Sequence, residues 1–83
     1  MVSVESTPNP NAMKFTVGTP VGGPATFVAG RETDEPMAAA LLDLPGVTSV
    51  FMTADFVTIS KTSDGSWDDI VEPAIGILTH HFG

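Results

Sequence analysis

A chain of 83 residues with ten acidic and three basic side chains, a net charge of -7 and 42% hydrophobic composition has room for one core, and it buries roughly 60 to 65% of the surface its unfolded form would expose. That apolar content excludes a disordered segment, and the negative potential excludes nucleic acid and anionic membrane surfaces as natural partners. The absence of cysteine excludes disulfides and thiolate-held metal, no apolar run approaches the roughly 18 residues of a spanning helix, and no basic-then-apolar leader opens the sequence, so a soluble, cytoplasmic protein is expected.

Residues 1 to 12 read as a short lead followed by a stiff loop. Pro8 and Pro10 fix their own φ near -65° and push Thr7 and Asn9 away from helix. The amides of Asn9 and Asn11 can fold back on nearby backbone groups. From Met13 to Val17 every second residue is apolar, which predicts a strand with Met13, Phe15 and Val17 on one face and Lys14 and Thr16 on the other. Residues 18 to 24 hold three glycines and two prolines and form a loop. A second strand follows over 25 to 29, expected to pair antiparallel with the first because the connection is short.

Pro36 suits the first position of a helix, where its missing N–H costs nothing, and Asp34 and Glu35 complement the helix dipole. This short helix carries Met37, Ala38, Ala40, Leu41 and Leu42 and stops at Leu44, Pro45 and Gly46. Strands over 47 to 52 and 56 to 61 are joined by a hairpin turn at 53 to 55. Thr48, Val50 and Met52 are expected on one face with Val57 and Ile59, leaving Phe51 and Phe56 on the other.

The last element is the most periodic. Trp67, Ile70, Val71, Ala74, Ile75, Leu78 and Phe82 fall on one helical stripe, Ser66 is placed to cap it, and Asp69 approximates a capping box. Pro73 lies inside the pattern and predicts a kink. The order strand, strand, helix, strand, strand, helix gives an α+β, two-layer sandwich: a mainly antiparallel four-stranded sheet with two helices on one face, in a single domain over 1 to 83.

Four segments together resemble the N-terminal domain of the Nfu/NifU-like iron-sulfur cluster scaffold proteins. They are Thr7-Pro8-Asn9-Pro10-Asn11-Ala12-Met13-Lys14-Phe15, the run from Leu44 to Phe51, the run from Asp55 to Lys61, and Trp67 with Pro73. In two-domain members of that family a second domain assembles the cluster through a Cys-x-x-Cys pair, which this sequence lacks. The resemblance therefore implies a non-catalytic, accessory domain that docks a cysteine-bearing scaffold or an apo-target and binds no cluster itself.

Candidate contact residues are Asn9 and Asn11 in the loop, Lys14 on the first strand, and the outward aromatics Phe51 and Phe56. Each has a plainer role open to it: the asparagines as loop ties, Lys14 as a solvated edge charge, the two rings as mutual cover. His80 and His81 are adjacent in a helix, point about 100° apart and do not ligate one metal from the same turn. Asp68, Asp69 and Glu72 complement the start of that helix. A carboxylate and histidine iron-binding module that delivers metal is the alternative function. No nucleophile, base and orienter stand at useful spacing, so no enzyme is expected.

Overall fold

A computed structural model of the chain describes residues 2–82. Its elements are β1 (Ser3–Ser6), β2 (Ala12–Thr16), β3 (Ala25–Val28), α1 (Pro36–Leu42), β4 (Val47–Thr53), β5 (Phe56–Lys61), a 3-10 turn (Trp67–Asp69) and α2 (Val71–Phe82). The strands form one antiparallel sheet in the order β1-β2-β5-β4-β3. Both helices share a core with one side of that sheet, in which Phe15, Val50, Val57, Ile59, Leu41, Ile70 and Leu78 are fully buried.

The sheet has five strands where the sequence reading expected four. The lead is itself a strand: Val4 pairs with Phe15 and Glu5 with Lys14, so the proline-asparagine segment is the loop of a β1–β2 hairpin. Only Val2 and Val4 alternate in this segment, too short a pattern to register as a strand.

The expected pairing of 13 to 17 with 25 to 29 does not occur. β2 lies between β1 and β5, while β3 occupies the far edge against β4. The connecting residues explain this. Val17 and Val21 are buried, and their N–H groups donate to the carbonyls of Asp55 and Ala54, at 2.9 Å each. The segment is thus drawn across the end of the β4–β5 hairpin to the opposite edge. A side chain on Gly23 would run into the Met52 carbonyl, so the close approach of this segment to β4 requires glycine there.

Two smaller expectations are also corrected. Thr48 is the extra residue of a bulge between the Val47–Lys61 and Ser49–Ser60 pairs; Val47 is buried in its place, and the Thr48 hydroxyl donates to the Ser60 carbonyl at 3.2 Å. Pro73 does not interrupt a helix. The 3-10 turn ends before α2 begins at Val71, which puts Pro73 in the first turn, where its N–H would have had no intrahelical partner. The first α-helical bond, from Ala74 N–H to the Ile70 carbonyl at 2.9 Å, follows directly after it.

Candidate functional site

The fold divides the five sequence-derived contact residues between two places. Asn9 and Asn11 lie in the β1–β2 loop, and their side chains make bonds within the chain. Asn9 Oδ1 accepts from the Asn11 N–H at 2.9 Å. The Thr7 hydroxyl accepts from the Asn9 N–H at 3.1 Å and lies 2.9 Å from the carbonyls of Asn9 and Ala12. Asn11 Oδ1 accepts from Lys61 Nζ at 3.1 Å, and its carbonyl accepts from the Lys61 N–H at 2.8 Å. Trp67 completes the tie by donating from Nε1 to the Pro10 carbonyl at 3.0 Å, with the Lys61 ammonium 5.6 Å from its ring centre. A residue of the last apolar stripe thus also pins the loop, a link that no local pattern announces.

Lys14, Phe51 and Phe56 lie together on the sheet face away from the helices. β2 is an interior strand, so Lys14 is not an edge charge. It stands opposite Glu5 on one side and Thr58 on the other, and its ammonium sits 4.4 Å above the Phe56 ring, within cation-π range. Phe51 faces Thr58 on β5 and Thr26 on β3, two residues along the ladder from Phe56. It is 37% exposed, and Val28 on the neighbouring edge strand is 44% exposed. Val28 escaped the sequence reading because alternation from Ala25 puts Phe27 inward, and nothing local marks its outward neighbour as open. The face therefore combines Ser and Thr hydroxyls with an aromatic-aliphatic patch and one Lys standing across from one Glu.

The helical layer is different in character. α1 and α2 run antiparallel: Glu35, whose side chain caps α1 by accepting from the Met37 N–H at 3.4 Å, lies 3.7 Å from His81 Nε2 at the end of α2. Between them is a groove of about 450 Å³. Pro36, Met37 and Ala40 form one wall; Pro73, Gly76 and Ile77 form the other, with His80 and His81 at one end. At the start of α2, Ser66 Oγ accepts from the Asp68 N–H at 3.2 Å, so this hydroxyl serves the turn. Among the described residues no three His, Asp or Glu side chains converge as a metal site, and no helix is long and apolar enough to cross a membrane.

A family model described as "Scaffold protein Nfu/NifU N terminal" matches residues 2–83. The chain belongs to this family. NifU-like protein 5, mitochondrial, from Arabidopsis thaliana is 40% identical over 98% of the chain, and that match takes up 30% of the plant protein. A NifU-like protein of Schizosaccharomyces pombe is 35% identical over 93% of the chain and 32% of its own length. The NFU1 iron-sulfur cluster scaffold homolog, mitochondrial, of Drosophila virilis is 33% identical over 98% and 28%. The chain thus spans about three tenths of the length of these curated relatives.

The fold recurs in solved structures. The crystal structure of protein SAV1430 from Staphylococcus aureus superimposes with a TM-score of 0.79 at 25% identity, covering 92% of this chain and 95% of that one. A NifU-like protein from Saccharomyces cerevisiae gives 0.72 at 28% identity, over 96% and 76%. Iron-sulfur clusters are held by thiolates, with histidine in a minority of sites. This Nfu domain has no cysteine and no convergent donor group among its described residues, so its side chains do not fit a cluster.

Proposed function

We propose that this Nfu N-terminal domain is a non-catalytic accessory in iron-sulfur cluster assembly or delivery, docking a cysteine-bearing scaffold that holds the cluster or an apo-target that receives it. The observation that carries the reading is the family match over residues 2–83 in a chain with no thiol. The docking surface is the open sheet face, where Lys14, Phe56 and Phe51 present a cation and aromatic area beside the threonines Thr26 and Thr58. Exposed aromatic area ringed by polar groups is the composition of a protein contact. Asn9 and Asn11 belong to the same reading as the supports of the loop at one end of β2, their side chains tied inward. A cytoplasmic setting is part of the same reading, and fractionation of cells checks it.

Titrating the 15N-labelled domain with a separately purified Nfu-type Cys-x-x-Cys domain, apo and cluster-loaded, tests the proposal. Amide shifts centred on Lys14, Phe51, Phe56 and Thr58, lost in Phe51→Asp, are the expected result. An unperturbed spectrum with both forms, or a stoichiometric iron-sulfur chromophore on this chain alone, overturns it.

A further inference from the structure

The groove between α1 and α2 is a second surface, remote in chemistry from the open sheet face. Its wall on α2 is a clean helical row, Pro73, Gly76, Ile77 and His80, separate from the core row Ile70, Ala74 and Leu78 of the same segment. Gly76 stands at the centre of that row. Glycine inside a helix is less favourable than alanine, and a methyl group placed there would meet nothing within 4 Å. Packing within the chain therefore gives no reason for glycine; what it does is keep the groove floor low. From Pro73 to His80 the row runs about 10.5 Å at 1.5 Å per residue, the length of two helical turns.

Charge decides which occupant fits. Eight of the ten carboxylates lie in the segments flanking the two helices or, for Glu72, in the first turn of α2, and only Glu5 and Asp55 lie elsewhere. Glu35 stands at one end of the groove beside His81, and the exposed Glu72 adjoins Pro73 at the other. Of the three basic residues, Lys14 is on the open sheet face, Lys61 is tied to Asn11, and Arg31 is exposed in the loop before α1, outside the groove lining. An apolar channel with acidic ends favours a segment with an apolar stripe and basic flanks, and it disfavours a second copy of this acidic chain. We infer that the α1–α2 groove is a docking site for a basic amphipathic helix of a partner protein, with Gly76 as the gap that admits its apolar anchor. The inference does not depend on the iron-sulfur partner proposed for the sheet face.

The probe is a synthetic peptide of about 15 residues, a length at which isolated helices begin to hold in water, with leucine at i, i+3, i+4 and i+7 and lysine elsewhere. A scrambled peptide of the same composition and a version with glutamate for lysine are the controls. Amide shifts of the 15N-labelled domain should cluster at Met37, Ala40, Gly76, Ile77 and His80 with the first peptide, and be far weaker with both controls. Gly76→Leu should weaken binding at least about tenfold by filling the gap, and Gly76→Ala less, while the latter raises the melting temperature. Phe51→Asp should leave this binding intact, which separates its failure from that of the sheet-face reading. Equal binding of the scrambled peptide, shifts centred on the sheet face, unchanged affinity in Gly76→Leu, or concentration-dependent shifts at the groove with no peptide present would each overturn the inference.

Discussion

The two faces of the one sheet carry opposite chemistry. Toward the helices, Phe15, Val57, Ile59 and Val50 sit side by side on β2, β5 and β4 with no exposed surface. On the reverse, the residues that alternate with them are Lys14, Thr58, Phe56, Ser49 and Phe51, half-buried or exposed. A two-layer architecture leaves that side uncovered, so its side chains are released from the packing that fixes the inner ones. The inner face sets stability, and the outer face is available for recognition at little cost to the fold.

Substitutions on each face test this division. Phe15→Ala on the inner face should cost about 3–5 kcal/mol, enough to unfold much of a domain this small, as read by urea denaturation. A loss below about 1 kcal/mol would break the comparison. Trp67→Phe keeps an apolar ring but removes the donor to the Pro10 carbonyl; the expected loss is about 1 kcal/mol, with faster hydrogen exchange at the Lys61 amide. Ala54 holds φ at 51° in the β4–β5 turn, a left-handed conformation disfavoured for residues with a Cβ, so Ala54→Gly should stabilise by roughly 0.5 kcal/mol. This backbone change buries nothing on either face and calibrates the scale. Phe51→Thr should move stability by no more than about 0.5 kcal/mol while weakening any complex formed on the open face; a loss comparable to that of Phe15→Ala would mean that the outer face is structural too.

What the sequence made legible follows the same line. Alternation from Met13 to Val17 and from Phe56 to Lys61 placed the right residues inward, because period-two patterning directly records burial of one face. Two helices on one side of an antiparallel sheet, and the outward aim of Phe51 and Phe56, came from the same signal. Pairing partners were less legible. The fate of residues 17 to 24 is settled by Val17 and Val21 bonding to the hairpin turn, a contact between segments more than thirty residues apart. The loop between the paired Val4 and Phe15 is tied from Trp67, more than fifty residues away. Pro73 was misjudged because periodicity counts apolar positions and does not detect where a 3-10 turn gives way to α-helix. At the contact surfaces, Lys14 over Phe56 required knowing that β2 is interior, whereas the groove row Pro73, Gly76, Ile77 and His80 was present in the spacing and obscured by the stronger core stripe beside it.

The strand order also constrains how the molecule is made. The first half of the chain furnishes both margins of the sheet, and the middle is filled by β4 and β5 from the second half. A nascent chain emerging from the ribosome can close the β1–β2 hairpin early, but that ribbon has no lasting partner until Lys61 has been added, and a lone hairpin is at best marginal in water. Assembly of the sheet must therefore wait until β5 has been made, and the interleaving favours slow, cooperative, all-or-none folding over a stepwise build from the N-terminus.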